Sequence, residues 1–310
     1  MTTSGREPGS PQPNVRVTTN HVRSEGDDLY FEVRGHGPAF LLIPGAGGDA
    51  DLYAAVADLL SDEFKVITYD RRANARSTSN SPQNFEISQQ SRDAVAVIHA
   101  AGEQAAFIFG SSSGAVIALD AARTHPHAVR AAIAHEPPCA RVSPNAAKWQ
   151  RFFANVYRTA YHFGPSLAGL RFIFGIQVPV RKLVKGHAQA ARYARGHREF
   201  RQHESRISSL DANSVLMKLE LLPVTNYLPD VQMVHRNGVT VIMAVGKWTQ
   251  ERKTWLAEVS LILAERLGCE LVTFPGHHGS YTDMPHEWAA TLRRVLRKAG
   301  GTEQTGQLTK

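Results

Sequence analysis

Apolar and polar positions follow two rhythms along this chain. Short β-rich apolar runs occur at Ala39–Ile43, Lys65–Tyr69, Ala105–Phe109, Arg130–Ala134, Val239–Val245 and Glu270–Phe274. Between them lie helical patterns at Asp51–Leu60, Ser88–Ala101, Gly114–Thr124, Glu251–Leu267 and Pro285–Lys298. Gly102, Gly268, Gly300 and the pair His125-Pro126 stand where such helices would stop. A run that is apolar throughout suits a strand covered on both faces. Strands separated by helices build a mostly parallel central sheet flanked by helices. The pattern therefore predicts an α/β fold, with Leu29–Val33 as an antiparallel edge strand.

The alternation stops after Pro138 and resumes at Val239. Residues 139–235 read as helices with aromatic residues such as Phe152, Phe153, Tyr157, Tyr161 and Phe163. An insertion between two strands of one parallel sheet sits over the strands' carboxyl ends, where such sheets bind ligands. The expected organisation is a core of residues 15–138 and 236–300 under an inserted helical cap of residues 139–235. Residues 1–14 and 301–310 are expected to be disordered tails.

Composition sharpens this picture in two places. Among 310 residues, no apolar run reaches the roughly 18–20 residues of a membrane-spanning helix, and the N-terminus lacks a signal-peptide core. A cytoplasmic protein without a membrane span is expected. Cys139 and Cys269 have no metal-ligand spacing and should be free thiols. The net charge of +7 is uneven: residues 139–235 hold 14 Lys+Arg against 5 Asp+Glu, so that stretch carries +9 and the rest −2. Such a cap either attracts anions or is simply a solvated basic helix face. No nucleic-acid-binding motif accompanies the charge, so no nucleic acid partner is expected. A small-molecule substrate is, and a homodimer is left open.

The candidate chemistry starts at Phe109-Gly110-Ser111-Ser112-Ser113-Gly114, after one apolar run and before a helix. This is G-x-S-x-G in a strand–turn–helix setting, a nucleophile elbow. The chain must turn sharply, and Gly110 and Gly114 have no Cβ to collide with nearby backbone. Ser112 stands at the apex as candidate nucleophile. Ser111 and Ser113 flank it, and the Ser113 N–H can serve as an oxyanion donor. The second donor is expected from Pro44-Gly45-Ala46-Gly47-Gly48, most directly from Ala46, with Gly45 or Gly47 one residue away.

A catalytic serine of this kind needs a late histidine. Pro275-Gly276-His277-His278-Gly279 follows the last predicted strand and offers two. The acid is less obvious. Val245-Gly246-Lys247-Trp248-Thr249 contains no carboxylate before Glu251. Ala134-His135-Glu136-Pro137-Pro138 does, at the carboxyl end of the strand after the elbow, 24 residues beyond Ser112. Glu136 is therefore the candidate acid, or a structural carboxylate at the cap entrance, with Glu251 as the lesser alternative. Gly45, Gly47, Trp248, Phe153 and Tyr157 are candidate substrate contacts.

These motifs resemble the α/β-hydrolase superfamily, and in particular the fungal zearalenone lactonases, which have a Ser–Glu–His triad. The resemblance covers about Pro38–Pro138 and Gly238–Leu296. It implies Ser112, Glu136 and His278 as the triad, the form Pro-Gly-x-His favouring His278 over His277. It also implies oxyanion N–H groups from Ala46 and Ser113, and no metal or organic cofactor. Tyr69-Asp70-Arg71-Arg72-Ala73-Asn74-Ala75-Arg76-Ser77 departs from the superfamily's D-x-R-G-x-G-x-S turn. Alanines replace both glycines, so a reshaped loop is expected there. The implied activity is cleavage of an ester or lactone of an apolar, aromatic or polyketide-like molecule. Two other classes use the same scaffold: a C–C bond hydrolase or cyclase/lyase with His278 as base, and a catalytically weak ligand binder.

Overall fold

The computed structural model describes residues 15–80, 84–196 and 211–307. Its strands are β1 (Val17–Ser24), β2 (Asp27–Arg34), β3 (Ala39–Ile43), β4 (Lys65–Tyr69), β5 (Ala106–Ser111), β6 (Val129–His135), β7 (Thr240–Gly246) and β8 (Leu271–Phe274). Among the described residues they form one eight-stranded sheet in the order β1-β2-β4-β3-β5-β6-β7-β8. Strands β3 to β8 run parallel, and β1 and β2 are antiparallel to their neighbours.

Side-chain alternation explains why the central strands are apolar throughout. On β3, Leu41 and Ile43 join one buried cluster while Phe40 and Leu42 join the other. Ile108 and Phe107 of β5 divide the same way, as do Ala132 and Ala131 of β6. A core therefore lies on each face of the sheet. The predicted edge strand at Leu29–Val33 is the second strand, not the edge. Val17–Ser24 pairs outside it, with alternate residues exposed. Few apolar residues mark that strand, because one of its faces meets solvent.

Helices α1 (Ala54–Leu60) and α12 (Pro285–Gln307) cover one face, and α2 (Ile87–Ala100) and α3 (Ser113–Thr124) the other. The helix predicted at Glu251–Leu267 is two helices, α10 (Lys247–Glu251) and α11 (Trp255–Leu267). Lys253 takes a left-handed φ of 50° between them, and the Thr254 side chain caps α11 at the Ala257 N–H. The C-terminal tail expected from residue 301 is helical as far as Gln307. Gly300 and Gly301 do not adopt the left-handed conformation that ends helices, so α12 runs past them. The expected tail at 1–14 lies outside the described residues. Both cysteines are free, Cys139 buried and Cys269 half-buried.

Between β6 and β7 come α4 (Ala146–Phe163), α5 (Pro165–Gly175), α6 (Val180–Gly196), α7 (Ala212–Ser214), a π-helical stretch Val215–Glu220, α8 (Leu221–Thr225) and α9 (Val231–Asn237). Residues 197–210 of the predicted cap lie outside the described part. Helix α9 packs on α3 and α11 and leads the chain back into the sheet.

Candidate active site

Strand β5 ends at Ser111 and α3 begins at Ser113, so the whole turn falls on Ser112. Its φ and ψ of 57° and −122° lie outside the regions an L-residue ordinarily occupies. The flanking glycines permit this by close approach. A Cβ on Gly110 would stand 2.0 Å from the Gly114 carbonyl oxygen, and one on Gly114 would stand 2.3 Å from that of Ile43. The Ser112 N–H donates to the His135 carbonyl at 2.9 Å, tying the apex to β6. Ser111 turns into the core, with Oγ 3.1 Å from His135 Nδ1. Ser113 opens α3, where backbone N–H groups have no partner within the helix.

Strand β3 delivers the glycine-rich loop against this turn. A Cβ on Gly45 would meet the Ser111 carbonyl oxygen at 2.8 Å and Ser112 Cβ at 3.1 Å. Arg71, fully buried, donates from Nη2 to the Gly45 carbonyl at 2.7 Å and to both Glu220 carboxylate oxygens at 2.9 and 3.0 Å. One guanidinium thus joins the loop under Ser112 to the π-helical stretch of the insertion. Ala73 and Ala75, which stand where the superfamily's turn has glycines, hold left-handed φ values of 66° and 46°. Both side chains are buried, and Asp70 accepts from the Arg76 N–H and guanidinium and from the Ala50 N–H, so tertiary contacts hold a conformation that alanine disfavours.

Glu136 follows β6 directly, with φ 49° and no solvent exposure. Its Oε1 accepts the Gly246 N–H at 2.7 Å, and its Oε2 lies 2.6 Å from His278 Nδ1. Burial pushes this carboxyl up, but the charge that His135 gains when protonated in acid, the His278 hydrogen bond and charge, and the Gly246 N–H outweigh it and hold the group at about 2. Glu136 is therefore an ionised acceptor, which fixes the proton of a neutral His278 on Nδ1 and leaves Nε2 free. His277 is turned elsewhere. Its Nε2 lies 3.4 Å from Asp283 and its Nδ1 accepts the Gly279 N–H. His135, Glu136 and His278 bring ligand-type atoms within 4.8 Å of one another. The short His278–Glu136 contact and the Gly246 bond already engage both carboxylate oxygens, so the cluster is built as a hydrogen-bonded couple.

Ser112, Ser113, His278, Gly45 and Ala46 line one cleft of about 770 Å³ including its open mouth. Its other walls are mainly apolar, from Phe153 on α4, Phe172 and Ile176 near α5, Leu183 on α6, Leu221 on α8 and Trp255 on α11. The description of the α/β-hydrolase fold matches residues 38–206 of the chain. The chain belongs to this family. It is 29% identical over 291 residues to the uncharacterized hydrolase YraK of Bacillus subtilis (strain 168), covering 92% of this chain and 98% of that one. It is also 31% identical over 129 residues to a zearalenone hydrolase of Cladophialophora bantiana, covering 40% of this chain and 49% of that one. The crystal structure of the enol-lactonase from Burkholderia xenovorans LB400 matches with a TM-score of 0.65 at 15% identity, covering 90% of this chain and all of that one.

Not every residue singled out in the sequence reaches the cleft of this α/β-hydrolase. Gly45 and Phe153 line it; Gly47, Trp248 and Tyr157 do not. Trp248 stacks under Arg252, and Tyr157 packs on Tyr161 near the exposed end of α4. Glu251 lies on the surface, 4.0 Å from Lys247, and takes no part in the His278 couple. Conversely, the Arg71–Glu220 pair, His187 and Tyr281 were not anticipated, and Glu220, His187 and Tyr281 line the cleft. His135 was also missed. It lies beneath the couple, its ring against Phe109, Phe274, Trp288 and His278. Burial pushes its imidazole down to about 4, so it is neutral at physiological pH. Its place in the His-Glu pair before two prolines was the signal available.

Proposed function

We propose that this hydrolase cleaves a carboxylic ester or lactone of an apolar small molecule through an acyl-enzyme. Ser112 is the nucleophile, His278 the base and Glu136 the acid. The observation that carries the reading is the bond from the buried Glu136 to His278, whose ring shares a cleft with the strained Ser112 elbow. His278 Nε2 takes the Ser112 proton as Oγ attacks the carbonyl carbon, while Glu136 stabilises the resulting imidazolium. The N–H groups of Ser113 and Ala46 receive the oxyanion; losing one such donor typically costs about 3–4 kcal/mol of barrier. His278 then protonates the leaving alcohol and later activates the water that releases the acid.

The apolar walls favour an apolar acyl or alcohol portion. The names zearalenone hydrolase and enol-lactonase, borne by two similar proteins, point the same way. The test is a hydrolysis screen of p-nitrophenyl esters and aryl lactones with the native protein and Ser112→Ala. Turnover should occur in the first and vanish in the second. Turnover that survives Ser112→Ala would sink the acyl-enzyme. No turnover of any ester or lactone would favour the C–C bond or binding alternatives.

A further inference from the structure

Phe153, Phe172 and Leu183 of α4 to α6 line the cleft, while Tyr161, Phe163, Leu167, Leu170, Phe174 and Val184 of the same three helices stand exposed, Phe163 at 73% and Phe174 at 79%. Elsewhere on the described surface only Leu228 and Leu261 are large apolar side chains of comparable exposure. Leu167, Leu170 and Phe174 follow a helical spacing that places them on one face of α5. A patch of this kind marks an interaction surface on a water-borne protein.

Charge selects the occupant. Residues 139–196 contain ten Lys and Arg and no Asp or Glu. Arg158, Arg171, Arg181, Lys182 and Lys185 are exposed, and none has an acidic partner among the described residues. Exposed aromatic and aliphatic side chains on the same helices as cations without acidic partners are the composition of a surface that lies in a membrane interface. A second copy of the chain would fit poorly, because isologous pairing sets the same cations face to face. A nucleic acid would match the charge, yet the aliphatic side chains of Leu167, Leu170 and Val184 offer nothing for a base to stack on.

We propose that the outer face of α4–α6 docks on an anionic phospholipid bilayer. Phe163, Phe174 and the α5 leucines enter the boundary between headgroups and acyl chains, and the cations meet the lipid phosphates. An apolar ester dissolved in the membrane would then meet the same helices whose Phe153, Phe172 and Leu183 line the cleft that holds Ser112. The docking face stands on exposure and charge; its role in delivering substrate rests on the ester-hydrolase reading.

The experiment is co-sedimentation of the full chain with vesicles of phosphatidylcholine alone or mixed with phosphatidylglycerol. Binding should require phosphatidylglycerol and weaken as salt rises, since screening shortens the reach of the cations. The double variant Phe163→Ser/Phe174→Ser should bind these vesicles about tenfold or more weakly and hydrolyse soluble p-nitrophenyl butyrate at the native rate. Ser112→Ala should bind like the native chain. Equal affinity of the double variant, or no binding to phosphatidylglycerol vesicles, overturns the proposal. So does a native dimer in sedimentation velocity that the double variant dissolves. Vesicle binding is read without turnover: a chain that binds lipid and cleaves no ester sinks only the ester reading. A chain that cleaves soluble ester and ignores anionic vesicles sinks only the docking face.

Discussion

Replacing Glu136 by glutamine keeps the side chain's shape and removes its charge and one acceptor. Its effect can be worked from the two bonds this carboxylate makes. The amide oxygen can still accept the Gly246 N–H, which the carboxylate does at 2.7 Å. The amide NH2 then faces His278 Nδ1, 2.6 Å from the present Oε2. Donor meets donor unless the imidazole moves its proton to Nε2, and an Nε2–H cannot accept the Ser112 proton. The imidazolium also loses its counter-charge. A change of this kind typically lowers kcat by about ten-thousand-fold, or ~5 kcal/mol of barrier. KM should move little, because Glu136 does not line the cleft. The fold should persist at a lowered melting temperature, since the volume is unchanged but a carboxylate charge that its surroundings stabilise is lost. Steady-state hydrolysis of p-nitrophenyl butyrate, with a thermal melt of the same sample, measures both. A folded Glu136→Gln protein with kcat within about tenfold of native would remove Glu136 from the mechanism.

Three further outcomes are expected. His278→Asn should abolish turnover while His277→Asn leaves most of it, because His278 bonds Glu136 and His277 faces Asp283; equal losses in kinetic assays would contradict this. Gly114→Ala drives a Cβ into the backbone of β3 and the following loop, at 2.3 and 2.9 Å from the Ile43 and Pro44 carbonyl oxygens. It should cost about 3 kcal/mol in urea unfolding, against about 1–2 kcal/mol for Gly47→Ala, which has open space but a φ of 86°. Stability should also fall on acidification. Burial holds His135 at about 4 against an ordinary 6.5, so below 6.5 the unfolded chain binds the extra proton first. The native state then loses ~3 kcal/mol between pH 6.5 and pH 4. Glu136, held at about 2 against 4.5, adds a loss only as pH drops through 4.5 toward 2. Urea midpoints across this range should flatten above pH 4 in His135→Phe; an unchanged slope would refute the assignment.

Much of this site was legible because its parts obey local rules. The elbow needs glycines on both sides of one serine, and Gly110 and Gly114 are placed where a Cβ would strike backbone. The late His278 and the carboxylate after β6 follow from the edge of the sheet at which parallel strands end. What stayed hidden depends on tertiary placement. Strand β1 shows too few apolar residues because one face meets solvent. The break at Lys253 rests on one left-handed residue that no glycine announces. Trp248 and Tyr157 are aromatic residues near the site in sequence, but residue type does not say which side of a helix faces the cleft. The Arg71–Glu220 bond joins residues 149 apart and could be seen only once the insertion was in place.

The central claim is an activated serine at position 112, and a fluorophosphonate probe addresses it most directly. Native protein should gain a single adduct, located on Ser112 by peptide mass spectrometry, with labelling slowed in Glu136→Gln and absent in Ser112→Ala. A native protein that stays unlabelled, or one labelled equally after Ser112→Ala, would contradict the account.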